Sequence, residues 1–157
     1  MQTFLPYADF EKSLQVLDYR RLGKQRLEAL TLINIIIGKT KDGRKPKGWL
    51  NHPITIMWKP FLDALKLYYN LSIQEWVSRG YNNTMVLINS DEKSVEFPDW
   101  LGYEAFHASH RANLLRKDFE FYTKYGWTER PEDPYLWRDA DHKWYSYNSK
   151  TKKRTYL

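Results

Sequence analysis

The chain contains no cysteine among its 157 residues. This absence excludes disulfide bonds, a thiolate nucleophile and a zinc site built on cysteine. Long hydrophobic runs are also missing, since no stretch approaches the ~18 apolar residues of a membrane-spanning helix. A secretory signal has a basic segment followed by an apolar one, and the first residues of the chain lack this pattern. We therefore expect a cytoplasmic protein.

Two common catalytic motifs are absent as well. Neither a glycine-rich phosphate loop nor a Gly-x-Ser-x-Gly nucleophile motif occurs, so nucleotide hydrolysis and α/β-hydrolase chemistry have no support. What the chain does have is a net charge of +6 and an aromatic content of 17%. A basic surface suits a polyanionic partner, and aromatic side chains either fill a core or stack on nucleic-acid bases. Composition by itself also fits a basic protein with an aromatic core.

Charge is distributed unevenly along the chain. Cations outnumber carboxylates in residues 1–50 and 109–157, whereas carboxylates outnumber cations in residues 51–108. A fold that brings the two ends together would create one positive face. The length corresponds to a single domain of ~100–200 residues, and we expect a monomer.

Apolar residues recur at helical spacing in three segments. The first predicts one helix over residues 9–38, with Asp9 as N-cap and Gly38 as its end, and Gly23 inside it indicates a bend or a close approach. A basic, turn-rich loop follows over residues 39–47. A second helical block begins near Pro53, is interrupted at Pro60 and ends at Gly80.

Residues 81–99 are predicted to be extended and rich in turns, and a third helix is predicted over residues 104–122. The last residues alternate aromatic and polar side chains around Asn148-Ser149-Lys150, which predicts a β-hairpin. The predicted fold is therefore mainly α, a single compact helical domain with a short C-terminal β-hairpin.

The first helix carries a distinctive charged face. Its members lie three and four residues apart, with Lys24 beside them, and are Asp18, Arg21, Gln25 and Glu28. Side chains at this spacing lie on one side of a helix. They could form a solvated row of ion pairs, or a site in which a carboxylate acts beside cations that hold phosphates, and the helix alone does not decide between the two.

A second cluster combines His107, Ser109, His110 and Arg111. Together with His52, the two histidines could bind a metal through neutral imidazoles. Histidine, serine and arginine near a helix N-terminus could instead contact phosphate. The third interpretation is a packed pair of hydrogen-bonded histidines.

Three ordered stretches resemble one known family. They are Leu17-Asp18-Tyr19-Arg20-Arg21-Leu22, His52-Pro53-Ile54-Thr55 running to Arg79-Gly80-Tyr81-Asn82, and His107-Ala108-Ser109 running to the aromatic residues 122–127. Their order and spacing resemble the pyrimidine-dimer DNA glycosylase/AP lyase family of the phage endonuclease V type. The likeness spans about residues 1–127, and residues 21–26 and 106–118 are more similar to a bacterial branch. Residues 128–157 are then a C-terminal extension with the hairpin, packed on the same domain.

The resemblance implies an enzyme of base excision repair that binds double-stranded DNA carrying a damaged or modified base. In this family the N-terminal α-amine attacks the sugar C1′ to give a Schiff base, and β-elimination then nicks the strand. A peptide α-amine has a pKa of ~7.7–8.0, so a useful fraction is neutral near pH 7. The target base leaves the stack by base flipping. The protein would then be associated with the nucleoid or, if viral, located in the host cytoplasm.

The residue-by-residue comparison has two consequences. Without gaps, Arg21 stands where the family has its catalytic glutamate, so Asp18 or Glu28 would replace that carboxylate. The bulk of Gln2 should leave Met1 in place, which makes the amine of Met1 the nucleophile.

The resemblance and the basic patches together give a set of predicted DNA contacts, namely Gln2, Arg20, Arg21, Lys24, Gln25, His107, His110, Arg111 and Arg116. We expect no cofactor and no metal. Two other functions remain open at this point. One is a non-catalytic nucleic-acid-binding protein on the same fold, and the other is a protein-interaction module that uses the aromatic tail.

Overall fold

The computed structural model describes residues 1–39, 48–90 and 93–157. Except for Lys39, the basic loop predicted over residues 39–47 lies outside the described residues. The helices are α1 (Phe10–Gln15), α2 (Tyr19–Ile37), α3 (Pro53–Trp58), α4 (Leu62–Ser78), α5 (Glu104–Lys117) and α6 (Phe119–Tyr122). The strands are β1 (Leu136–Arg138), β2 (Trp144–Asn148) and β3 (Lys153–Tyr156). The mainly α fold with a C-terminal hairpin is thus confirmed.

The first predicted helix is two helices, so a continuous helix over residues 9–38 is wrong. Asp9 caps α1 as expected, accepting a bond of 2.8 Å from the Lys12 amide, but Asp18 then caps α2 by accepting from the Arg21 amide. Because an N-cap residue has extended rather than helical backbone, the second cap forces a break. The Arg79 guanidinium fills it by donating to the carbonyls of Leu14 and Leu17.

The end of α2 and the whole second block follow the sequence prediction. Gly38 ends α2 with a φ of 75°, in the left-handed region that glycine adopts readily. Pro53 occupies the first turn of α3, and the His52 side chain accepts from the Ile54 amide at 3.1 Å. Pro60 lies in a 3₁₀ turn that separates α3 from α4. Gly80, with a φ of 87°, follows the end of α4.

The third predicted helix is also divided. Asp118 has an extended φ of −153° and its side chain accepts from the Phe121 amide, so it ends α5 and caps α6. A continuous helix over residues 104–122 is therefore wrong, for the same reason as in the first segment: an aspartate inside the apolar pattern caps a new helix.

The C-terminal sheet is antiparallel with the order β1-β2-β3. The predicted hairpin is β2 and β3, whereas β1 was missed because three residues give no detectable alternation. Tertiary contacts hold β1: the Leu136 amide donates to Ser109 Oγ at 3.2 Å, and the rings of Trp137 and His52 lie 5.6 Å apart.

The core is rich in aromatic rings and encloses the start of the chain. Trp58, Tyr68, Trp100 and Phe106 are buried, and so are the residues from Gln2 to Leu5. Helices α2 and α4 pack against each other over this core. In the parts of the chain that the structure describes, no helix is long and apolar enough to cross a membrane.

Candidate active site

A cleft of about 1070 Å³ opens beside the start of the chain. Its walls are Met1 and Gln2, the charged face of the first half of α2, the end of α4 and the junction of α5 and α6. All four charged-face residues of α2 border it, namely Asp18, Arg21, Gln25 and Glu28. The folding of residues 1–5 alongside α2 therefore places the N-terminus and this helical face in one site.

Glu28 lies directly against the N-terminal segment. Its Oε2 accepts from the backbone amide of Gln2 at 3.2 Å and from Gln25 Nε2 at 3.4 Å. Met1 directly precedes the Gln2 amide, so its α-amine is one residue along the chain from the point that Glu28 binds. Met1 and Glu28 are both half-buried, so both are accessible from the cleft.

Asp18 has a different environment, although it borders the same cleft. The side chain accepts from the hydroxyl of Tyr122, from the Arg21 amide and from Arg21 Nη1 at 3.1 Å. Burial would raise the pKa of Asp18, but these hydrogen bonds and the Arg21 charge outweigh it, so the pKa is lowered. Burial and the bond to Asp18 raise the pKa of Tyr122. Asp18 is thus a capping carboxylate held by three hydrogen-bond donors.

Exposed cations surround the carboxylates. Arg20 and Lys24 project from α2, and Lys117 from the last turn of α5, into the same cleft. Partial desolvation and then the positive charges of Arg21, Arg116 and Lys24 lower the pKa of Lys117. Cations collected around a concave site raise the local concentration of anions.

The histidine cluster lies in the interior and away from solvent. His107 Nδ1 donates to the Leu5 carbonyl at 2.8 Å while its Nε2 accepts from the Gly102 amide at 2.9 Å. His110, fully buried, accepts from the Leu5 amide at 2.9 Å. Desolvation is the main cause that lowers the pKa of both, to about 3 for His110. Of the three interpretations, the geometry matches the packed pair of histidines.

Three further predicted contacts are buried or engaged with protein groups. Arg111 is 8% exposed and donates to the Pro6 carbonyl at 2.7 Å and to Glu129 and Glu104. Gln2 and Gln25 are buried against each other. We therefore do not include Gln2, Gln25, His107, His110 and Arg111 among the proposed DNA contacts. In residues 1–39, 48–90 and 93–157, no three His, Cys, Asp or Glu side chains are grouped to hold a metal.

The structure adds site residues that sequence reasoning missed. Lys117, Tyr81, Phe121 and Tyr135 border the cleft, and the rings of Tyr81 and Tyr19 lie 6.2 Å apart on one wall. The basic last turn of α5 was visible in the sequence. The position of Tyr135 beside α2 could not be predicted, because the two are distant along the chain and no local pattern relates them.

Comparison with known proteins is consistent with this arrangement. The family model described as pyrimidine dimer DNA glycosylase matches residues 1–89, which include Met1, the whole charged face of α2 and Tyr81. No curated protein and no solved structure gives a significant match. Because the family model spans more than half of the 157 residues, the chain belongs to the pyrimidine dimer DNA glycosylase family.

Proposed function

We propose that the protein is a DNA glycosylase with AP lyase activity that removes a damaged or modified pyrimidine from duplex DNA. The α-amine of Met1 is the nucleophile and Glu28 is the carboxylate that assists it. The observation that carries the proposal is the bond of 3.2 Å from the Gln2 amide to Glu28 Oε2, at the edge of an open cationic cleft. Of the two carboxylates considered from sequence, Glu28 is the one beside the N-terminal segment.

The chemistry follows from these two groups. The amine lone pair forms a bond to C1′ as the glycosidic bond breaks. The base leaves with the electrons of the broken bond and takes up a proton, and the nitrogen gives up one of its protons to O4′ as the ring opens. Opening of the sugar ring gives a cationic Schiff base, which the negative charge of Glu28 stabilises. Removal of a C2′ proton then expels the 3′ phosphate, a step in which a nearby carboxylate acts as general base.

The cations of the cleft serve the backbone of the DNA. Arg20, Arg21 and Lys24 on α2 and Lys117 on α5 border the cleft, and in this proposal they contact phosphates on either side of an extruded nucleotide. Arg116 is exposed in the same last turn of α5 as Lys117 and extends this surface. Such contacts fix the position of the protein on the duplex without selecting a sequence.

Borohydride trapping on a duplex with one abasic site tests the proposal. The native protein should form a covalent adduct, and intact mass should show an unmodified Met1. N-terminal acetylation removes the nucleophilic lone pair, so it should abolish trapping while DNA binding stays within several-fold. Trapping that survives acetylation would assign the nucleophile to a lysine and contradict the role of Met1.

Glu28→Gln tests the carboxylate. Loss of a general acid–base group costs ~10²–10⁴-fold in rate, so base release from lesion-containing duplexes should fall by that order with binding kept. Glu11→Gln, at an exposed position on α1, is the matched control and should leave base release unchanged. Equal rates for the two variants would contradict the role of Glu28.

A second candidate is a DNA-binding protein without catalysis. It is favoured by Arg21, which stands where the family's catalytic glutamate is expected and is engaged with Asp18 at 3.1 Å. This candidate predicts salt-sensitive binding to duplex DNA with no adduct and no base release from any lesion. A panel of photodimer, oxidised-base and modified-base duplexes separates the two candidates and identifies the base.

A further inference from the structure

We propose that Gln25 is a positioning residue that fixes the N-terminal segment against Glu28. The inference deepens the proposed function and rests on it for its catalytic consequence. Its structural content, the ordering of residues 2–4 by one buried amide, can be measured without any activity.

The side-chain amide of Gln25 binds the main chain of the N-terminal segment at two successive points. Oε1 accepts from the Phe4 amide at 2.8 Å, and Nε2 donates to the Gln2 carbonyl at 3.0 Å. A carbonyl and an amide two residues apart are the groups that an extended strand offers to a neighbouring strand. Gln25 therefore substitutes for a neighbouring strand and holds both peptide groups that flank Thr3.

The same amide also touches the carboxylate. Its Nε2 lies 3.4 Å from Glu28 Oε2, the oxygen that accepts from the Gln2 amide. One amide group thereby bridges the main chain that carries the α-amine and the carboxylate that assists it. Any rotation of Gln25 would change the separation of those two reacting groups.

Only one orientation of the amide satisfies its surroundings. Oε1 faces a backbone N–H, whereas Nε2 faces two acceptors, so exchanging oxygen and nitrogen would set like groups against each other at both ends. The Tyr68 hydroxyl is 2.6 Å from Oε1 and 3.0 Å from the Phe4 carbonyl. Burial and then the Glu28 charge raise the pKa of Tyr68 well above its ordinary value, so the hydroxyl stays a donor.

Gln25 is only 1% exposed, so its hydrogen bonds are made away from bulk water. A buried donor or acceptor left without a partner costs the full penalty of its desolvation. Displacing reacting groups by ~1 Å can reduce a rate about 10²-fold. We therefore expect the loss of the Gln25 amide to reduce the rate of the chemical step much more than it weakens DNA binding.

The decisive variant is Gln25→Glu, which keeps the shape of the side chain and replaces the Nε2 donor with a carboxylate oxygen. At pH 8 the new carboxylate faces the Gln2 carbonyl and Glu28 with no proton to donate. Burial and the neighbouring carboxylate favour its protonated form as the pH falls, and a protonated carboxyl can donate again. The single-turnover trapping rate should be about 10²-fold below wild type at pH 8, and the deficit should shrink at least severalfold towards pH 5.5.

Asn70→Asp is the matched control. The Asn70 amide pins the main chain in the same way, donating to the Ile88 carbonyl at 2.6 Å and accepting from the Ile88 amide at 2.9 Å, outside the cleft. It should lower the melting temperature, but its trapping rate relative to wild type should not depend on pH. A purely structural role for Gln25 predicts the same behaviour for both variants.

A second measurement keeps the inference separate from the proposed function. Backbone ¹⁵N relaxation should show the amides of Gln2, Thr3 and Phe4 losing order in Gln25→Glu at pH 8 and retaining it in Asn70→Asp. If wild-type protein forms no adduct, the proposed function fails and these amides alone decide the inference. Unchanged order in Gln25→Glu overturns it, and so does a trapping deficit in that variant that is independent of pH.

Discussion

Two carboxylates on one helix face have different environments in this protein. Asp18 caps α2 and accepts from Tyr122 and Arg21, whereas Glu28 is half-buried and accepts from the first peptide amide of the chain and from Gln25. A carboxylate held as a cap by an arginine and a tyrosine stabilises structure. Glu28 borders the same cleft as Asp18 but lies against the N-terminal segment, and it is therefore the carboxylate that we propose for the chemistry.

Asp18→Asn should therefore act on stability. The pKa of Asp18 is lowered in the folded protein, so the ionised carboxylate stabilises the fold above the unfolded value of ~3.9, and that contribution is lost as the pH falls through the lower folded value. We expect denaturant unfolding at pH 7 to show a loss of about 1–3 kcal/mol. The difference should shrink below about pH 4.

Borohydride trapping distinguishes Asp18→Asn from Glu28→Gln. Asp18→Asn should change the adduct rate by less than about tenfold, the effect of ~1.4 kcal/mol on a barrier. A variant that kept its melting temperature but lost trapping by orders of magnitude would make Asp18 the catalytic carboxylate instead.

Among the elements, the contact between α2 and α4 depends on a glycine. A Cβ added at Gly23 would lie 3.1 Å from Cζ3 and 3.3 Å from Cη2 of Trp76. That indole packs against the Tyr81 ring at 4.4 Å and under the Arg26 guanidinium at 4.1 Å, so it has little freedom to move. The close approach that the sequence indicated at Gly23 is thus a helix–ring contact.

Gly23→Ala should lower the melting temperature. Alanine is about 1 kcal/mol better than glycine inside a helix, but the overlap with Trp76 opposes that gain. In a Trp76→Leu background the overlap is gone, and the same substitution should raise the melting temperature. A thermal double-mutant cycle measures the coupling between the two substitutions. We expect it to exceed about 1 kcal/mol, the propensity gain that the overlap must outweigh; additive effects would show that the ring yields without cost.

At the scale of the whole molecule, buried and half-buried histidines connect folding to pH. Desolvation is the largest cause that lowers the pKa of three of them. The pKa falls to about 4 for His52 and to about 3 for His110, and that of His107 is also lowered. A further cause at His52 is the positive N-terminus. These histidines are neutral in the folded protein at pH values where an unfolded chain would protonate them.

The free energy of unfolding should consequently fall as the pH drops below ~6.5, the unfolded value. Each of the three histidines contributes up to ~1.4 kcal/mol per pH unit until its folded value is reached. Urea titrations from pH 7 to 4.5 measure the slope. His110→Gln should reduce this slope by the contribution of about one bound proton. His142→Gln, at an exposed position, is the control. A flat profile would contradict the burial of these imidazoles.

The net charge of +6 affects binding through the cleft cations. Each phosphate neutralised on duplex DNA adds about 0.9 to the slope of log affinity against log salt. Lys24→Ala and Lys117→Ala should each lower that slope by about this amount without altering base preference. Lys12→Ala, exposed on α1 outside the cleft, should not. Unchanged slopes in both cleft variants would place the DNA surface elsewhere.

The sequence alone determined the helical class, the caps at Asp9 and Gly38, the Pro60 interruption and the hairpin, because periodicity, caps and turns are local properties. It also brought Asp18, Arg21, Gln25 and Glu28 onto one face, since helical geometry fixes that relation. Tertiary structure decided which of them act together. Packing of the helices buries Gln25, His107 and His110. Contacts between distant parts of the chain place Glu28 beside residue 2 and Lys117 across from α2. Such contacts depend on the packing of whole elements, which no local pattern encodes.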